Sequence, residues 1–413
     1  MSAWKEAGLT DLGTIERGRS RHRPRNDPRL FGEGVPFFQT GDVKAATLHM
    51  SRATEEYSEF GVAQSRIWEP GTTCITIAAN IAESAVLGVQ GCFPDSVLGF
   101  VPAEQADDAY FVKYLLDVHR ERLTSSARGT TQDNLSLEKL LSHSFPIPDP
   151  IERSRIAEVL RSIDELIENN RQRVELLEQA AHAIYREWFV RLRYPGHENV
   201  PIVDSPLGPI PEGWRLGALR ELAADVRQSV KPSADTAELP YLPIDAIDPR
   251  SLTVWGHRPG TEAASSLRLF CKGDVVFGAM RAYFHKVCVS PFDGVTRSTC
   301  FVLRPEPQRY WYAALTLVDA STVAYAAAHS SGSTIPYAKW EGVLSEMPVK
   351  LPTTSVSEAF AARVQSLLEM AQKLADQAQP LAALRDLLLP KLITGQIDVS
   401  HLDLDALTEA ATA

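Results

Sequence analysis

The chain has 413 residues, of which 44% are hydrophobic and 23% charged, and a formal net charge of −10. At about 150 residues per domain this is two to three domains with enough apolar material for real cores. No stretch approaches the ~18 uninterrupted apolar residues of a membrane span, and the acidic balance argues against a simple coat for nucleic acid while leaving room for a local basic face.

In chain order, Trp4 opens the segment WKEAGLTDLGTIERGRS, which runs into a cluster of arginines at 17, 19, 21, 23, 25 and 29. Only Glu16 and Asp27 oppose them. A strand led by Pro36-Phe37-Phe38 follows, then the apolar strand EPGTTCITIAAN at 69–80 and a further strand, SVLGFVP, at 96–102. Tyr110-Phe111 leads an amphipathic helix, Gly129-Thr130-Thr131-Gln132-Asp133-Asn134 forms a small polar turn, and Phe145-Pro146-Ile147-Pro148 closes the set as a strand. Next, Ile156, Leu160, Ile163, Ile167, Asn170, Val174, Leu177, Ala181, Ile184 and Trp188 keep an alternating 4-3 spacing. That is a heptad seam on one long helix from Ile151 to Val190, with Asn170 as a polar residue suited to fixing register. YPGHENVPIVDSPLGPIPEGW at 194–214 is rich in Pro and Gly and reads as a linker.

The order of elements then repeats. Trp214 opens WRLGALRELAADVRQS, Pro240-Tyr241-Leu242 leads a strand, and CKGDVVFGAMR at 271–281 is the turn-entered apolar strand. STCFVLRP at 298–305, a helix led by Tyr310-Trp311, the turn Gly332-Ser333-Thr334 and a strand at Met347-Pro348-Val349 complete the second copy. A last helix carries a second seam through Phe360, Val364, Leu367, Ala371, Leu374, Ala378, Leu381 and Leu388, with Arg385 filling one step. Pro380 is expected to kink or split it. The offset between copies moves only from 210 at Trp4/Trp214 to 202 at Phe145/Met347. An α+β architecture follows: two repeated mixed α/β modules and two long helices that pair antiparallel as a coiled-coil spacer. The divisions are 1–150 for the first module, 151–193 for the first helix, 194–213 for the linker, 214–352 for the second module, and 353–413 for the second helix and tail.

The residues offer no catalytic constellation. There is no G-x-x-x-x-G-K-[ST], G-x-G-x-x-G, H-E-x-x-H or G-x-S-x-G. The ten histidines show no metal-ligand spacing. Thr334-Ile335-Pro336-Tyr337 lacks the first proline and leading Asp or Asn of an amino-methyltransferase signature. Five scattered cysteines without C-x-x-C, together with a start that lacks a leader pattern, suggest reduced thiols and a cytoplasmic setting.

Two modules on a helical spacer suit two similar sites at fixed separation, and duplex DNA with two half-sites is such a ligand. Arg17, Arg19, Arg21, Arg23 and Arg25 are candidates for phosphates or guanine edges, with a solvated loop as the alternative. In the second module Arg281, Tyr283, His285 and Lys286 follow a strand and mix donors with aromatics; an ordinary strand edge with Tyr283 in the core is the alternative. Thr130, Thr131 and Gln132, and their counterparts Ser333 and Thr334, offer short polar groups, or plain capping turns. Rivals to a DNA reader are a degenerate methyltransferase or nuclease and a structural coiled-coil adaptor.

The chain resembles the specificity (S) subunit of type I restriction-modification systems over nearly its whole length. AIYREWFVRLRYPGHE followed by DSPLGPIPEGWRLGAL is similar to the family's join between first helix and second module, and LRDLLLPKLITGQIDV at 384–399 to its distal region. DVVFGAMRAYFHKV resembles the strand and Arg-Pro-Tyr turn of its recognition domains, with Ala282 in place of proline. GTTQDNLS resembles the Gly-Ser/Thr-Thr-Gln turn, and SGSTIPYA is a second copy with Ile335 in place of glutamine. The resemblance implies a non-catalytic subunit whose two target recognition domains each read one half of a bipartite DNA sequence and whose helices set the spacing. It also implies docking of two methyltransferase (M) subunits that bind S-adenosylmethionine, and of translocating restriction (R) subunits that use ATP and Mg. A specificity-like reader in another phage-defence or modification complex is the neighbouring alternative.

Overall fold

The first long helix starts where the chain supplies a cap. Asp149 Oδ1 accepts from the amides of Ile151 and Glu152, both at 3.0 Å, and Pro150 occupies the first helical position, where its missing N–H costs nothing. The helix Pro150–Tyr185 spans about 54 Å at ~1.5 Å per residue and ends in a wide turn, Arg186–Val190, closed by Arg191 N donating to Arg186 O. The computed structural model describes residues 4–127, 135–332 and 334–399. They form two compact units: one takes the chain up to Glu168 and again from Leu381, the other is Asn169–Pro380. Each unit therefore holds one module and a length of both long helices. Among the described residues no helix is long and apolar enough to cross a membrane.

In the first unit the sheet runs, in spatial order, Gly13–Arg17, Val97–Pro102, Thr73–Thr76, Ser84–Leu87 and His49–Met50. All pairs are antiparallel except the last. The helix Asp108–Ala127 covers it, and Thr73 Oγ1 donates to Ala109 O at 2.7 Å. Lys5–Ala7 pairs with Phe145–Ile147 to close the module.

The second unit repeats this order with Ala223–Asp225, Cys300–Pro305, Val275–Gly278 and Val287–Val289, all antiparallel. Arg215–Ala218 with Pro348–Leu351 closes it. The register repeats as well: Gly13 faces Pro102 as Ala223 faces Pro305, and Thr73 faces Val86 as Val275 faces Val289. What differs is the segment between the first and central sheet strands. In the first unit it forms the pair Phe31–Phe37 with Glu55–Tyr57. In the second it feeds a five-stranded sheet of Ser229–Val230, Leu267–Phe270, Gly294–Arg297, Pro240–Tyr241 and Arg258–Pro259.

Most seam positions are buried: Ile156, Leu160, Ile163, Ile167, Asn170, Val174, Ala181 and Trp188 on the first helix, Phe360, Val364, Ala371, Leu374 and Ala378 on the second. Leu177, Ile184, Leu367, Leu381 and Leu388 are half-buried, and Leu368, next to the expected Leu367, is the buried residue at that step of the two seams. Their pairing is antiparallel. Within the second unit Trp188 packs on Phe360, with ring centroids 5.7 Å apart, and Val174 lies against Ala371 and Leu374. Within the first unit Asp164 meets Arg385.

The join motif explains itself as an aromatic knot. Phe189 lies 4.4 Å from Tyr312, 4.8 Å from Phe360 and 5.9 Å from Trp214, ring to ring. Buried rings of this size contribute about 2–3 kcal/mol each. In the first unit Gly395 turns with φ +70° beneath Trp4, and a Cβ there would lie 2.9 Å from the indole.

Two sequence expectations are corrected. Pro380 does not split the last helix, which runs unbroken over Thr354–Ile393. Its ring is exposed, and the turns on either side are anchored by Leu374 and Ala378 and by Arg385; tertiary contacts outweigh the ~3 kcal/mol that one missing amide costs. The helix led by Tyr310-Trp311 is two helices, Tyr310–Val318 and Ala320–Ala328. Asp319 divides them because its carboxylate accepts from Ser321 N at 2.9 Å and caps the second.

Candidate nucleic-acid interface

In the first unit the arginine cluster sits on a loop whose backbone is pinned and whose side chains are exposed. Strand Gly13–Arg17 ends at Gly18, where a Cβ would come within 2.3 Å of Pro94 O, so only glycine lets the two chains meet. Gly18 N donates to Val97 O at 2.9 Å and Arg19 N to Phe93 O at 3.0 Å. Ser65 Oγ donates to Arg19 O at 2.7 Å, and Gln64 Oε1 accepts from the amides of Arg21 and His22 at 2.6 and 2.9 Å.

The six arginines are exposed, but not equivalent. Among the described residues no carboxylate lies within ion-pair distance of Arg17, Arg19 or Arg21. Arg23 turns back to donate to Ser20 O and His22 O at 2.7 and 2.8 Å. Arg25 is held by Asp95 at 2.8 and 3.0 Å, a partner that local charge counting misses. Arg29 grips Asp27 through two guanidinium nitrogens, and this hydrogen bonding holds the Asp27 carboxyl well below the usual carboxylate range.

In the second unit a turn leaves strand Val275–Gly278 and re-enters at Val287. Arg281 and His285 bound it, with φ +51° and +54°. Non-glycine residues in this left-handed region are uncommon and cost about 1–3 kcal/mol each, so the surroundings must impose them. Arg281 N donates to Pro336 O and Gly278 N to Lys286 O, both at 2.8 Å. Between the two, Tyr283 and Phe284 stand 55% and 49% exposed with ring centroids 4.8 Å apart. Tyr283 is thus a surface group, not a core one. Phe284 joins it, an apolar ring that carries no polar signal to mark it in the sequence.

The His285 imidazole is turned inward, with Nε2 2.7 Å from Val318 O, so it props the turn instead of facing outward. Lys286 Nζ reaches Asp245 O at 3.4 Å. The neighbouring turn is tied to the same edge by the Met280–Tyr337 bridge and by Ala338 N donating to Ala279 O at 2.9 Å. Arg281, Tyr283, Phe284, Lys286 and the exposed Thr334 therefore share one rim. Thr130, Thr131, Gln132 and Ser333 lie outside the described residues.

The first unit has the same turn in a different dress. Ala79 and Ala82 take φ +62° and +60° where Arg281 and His285 stand in the other copy, and Leu135 N donates to Ile77 O at 3.0 Å as Ala338 does to Ala279. Alanines carry no chemical signal, so only the backbone reveals this equivalence. Among the described residues no group of three or more His, Cys, Asp or Glu could hold a metal ion. Cys74, Cys92, Cys288 and Cys300 are buried thiols, and burial pushes Cys300 up to about 11.

One frame built twice, with a different exposed loop set on each copy, defines a twin-module recognition protein. Residues 1–179 match the family model for the Type I restriction modification DNA specificity domain. The chain is 22% identical to the Type I restriction enzyme MjaIX specificity subunit of Methanocaldococcus jannaschii, over 97% of this chain and 94% of that one. It is 21% identical to the EcoDI specificity subunit of Escherichia coli over 76% and 75% of the two chains. Its fold is similar to the S subunit of a type I restriction-modification system from M. genitalium, with a TM-score of 0.60 at 15% identity over 95% of this chain and 96% of that one. Residues 1–179 thus match that DNA specificity domain, and over nearly its whole length the chain is similar to specificity subunits of type I restriction-modification systems.

Proposed function

We propose that this protein is the DNA sequence-specificity subunit of a type I restriction-modification complex, each module reading one half of a bipartite duplex target. The observation that carries this reading is the repeated frame with unlike loops. The same sheet register presents an arginine loop in one unit and an Arg281–Lys286 aromatic rim in the other. Equal frames give equal docking, and unlike loops give unlike half-sites. Unpaired guanidinium groups supply phosphate attraction and bidentate contact to guanine, and exposed aromatics supply stacking or a wedge between base steps.

The chain itself is non-catalytic in this reading. It works in the cytoplasm with two methyltransferase (M) subunits on its helices and with restriction (R) subunits. S-adenosylmethionine, ATP and Mg belong to those partners, and the paired helices set the spacing between half-sites. Methylome sequencing of a host expressing the chain with its neighbouring methyltransferase tests this. A split motif modified on both strands only when the chain is intact supports it. Methylation that ignores the chain overturns it and points to a reader for another defence or modification complex.

A further inference from the structure

In both units a carboxylate of the first long helix reaches into the segment that differs between modules. Leu48 O accepts from Val86 N and Leu252 O from Val289 N, both at 2.9 Å, so these two residues hold the same place beside the same sheet strand. The residue that follows each of them meets the helix. His49 Nδ1 lies 2.9 Å from Glu168 Oε2, while its Nε2 lies 3.0 Å from the Tyr110 hydroxyl. Thr253 donates to Glu178 Oε1 through its amide at 2.8 Å and its hydroxyl at 2.6 Å, and Ser251 Oγ adds a third donor at 3.0 Å.

The second long helix completes the grip in the second unit. Gln372 accepts from Val254 N at 3.1 Å and donates to Val254 O at 3.0 Å. Trp255, next along, lies under the Arg171 guanidinium at 4.6 Å. The strap formed by residues 250–255 also touches the exposed rim directly, because Arg250 N donates to His285 O at 2.8 Å.

A glutamate that is only 7% exposed, as Glu178 is, costs free energy to bury unless its donors are well placed. Glu168 is less enclosed, its side chain 19% exposed, but it too meets the residue after the strand-paired leucine. A carboxylate at the equivalent strap of both units is not explained by heptad packing, which needs only apolar seams. We infer that Glu168 and Glu178 are positioning residues, each fixing the reading loops of its own module against the first long helix. The inference rests on the DNA-reading function proposed above. It adds that each half of the target depends on its own helix carboxylate.

The test is a crossed comparison of motifs by methylome sequencing, using the full chain co-expressed with its methyltransferase subunits. Glu178→Ala should relax one half of the split motif and Glu168→Ala the other, with discrimination against mismatches falling about tenfold in the affected half only. Glu178→Gln keeps the acceptor oxygen and should restore fidelity. Thr253→Val removes one hydroxyl donor and should give a milder loss in the same half as Glu178→Ala. If both halves change together, or neither changes, in variants with wild-type melting temperature, the inference is overturned. Should Glu178→Ala fail to fold, full fidelity in Thr253→Val overturns it equally. A wild-type chain that directs no split motif would instead bring down the functional reading, and this inference with it.

Discussion

Arg385 on the last helix donates to Asp164 on the first at 2.8 Å, and Asp164 is completely buried. The hydroxyl of Tyr114, from the helix covering the first sheet, donates to the other oxygen of the same carboxylate at 2.8 Å. One carboxylate thus joins three helices of the first unit, at a step of the second seam where an apolar residue would be the ordinary choice.

Removing the cation leaves the carboxylate buried with a single donor. Arg385→Ala should destabilise the protein by about 3–5 kcal/mol, the range for breaking a buried pair from one side. The triple change Arg385→Leu, Asp164→Leu and Tyr114→Phe, which leaves no buried polar group unpaired, should recover most of that loss. Denaturant melts of the three proteins check both statements.

The arginine loop gives a graded prediction. Changing Arg17, Arg19 and Arg21 to Gln should each flatten the salt dependence of DNA binding, by about one unit of log–log slope for every phosphate left without its guanidinium. Arg25→Gln should do less, because its charge is already committed to Asp95. Binding isotherms between low and physiological salt separate the two groups. Equal effects at all four positions would sink the ranking.

Glu178 supplies a pH signature. Burial raises its carboxyl above the ordinary glutamate value, and the Thr253 and Ser251 donors offset only part of the rise. A group whose folded value is raised favours the fold when protonated. Its contribution is full below the ordinary value of about 4.3 and is lost as pH rises through the raised one. Glu178→Gln should therefore be at least as stable as the wild type at pH 7, with the gap closing on acidification. Paired melts near pH 4.5 and 7.5 test the sign.

Local periodicity made the long helices readable. The 4-3 spacing from Ile156 to Trp188 names buried positions. The recurrence of element order made the duplicated module readable too. Features set by residues far apart in the chain were not. Asp95 neutralises Arg25 across 70 positions, and His285 turns away from the rim to reach Val318. Asp164, Glu168 and Glu178 look like solvated helix carboxylates because periodicity assigns polar residues to the outside; the modules that cover them appear only in three dimensions. Pro380 shows the reverse error, a sound local rule overruled by packing.

The length difference between the copies falls mainly in one place. Paired positions are offset by 210 at Gly13 and Ala223, by 204 where Leu48 and Leu252 meet their sheet strands, and by 202 at Thr73 and Val275. Most of the extra chain in the first copy therefore lies in the stretch that carries the arginines. The remainder behaves as a socket whose rim keeps its dimensions whatever is plugged into it. A foreign insert could enter one socket without any sheet or helix residue changing its partner. Two sockets on one polypeptide would then let new targets arise by shuffling halves, each exchange rewriting half of an address and leaving the other half intact.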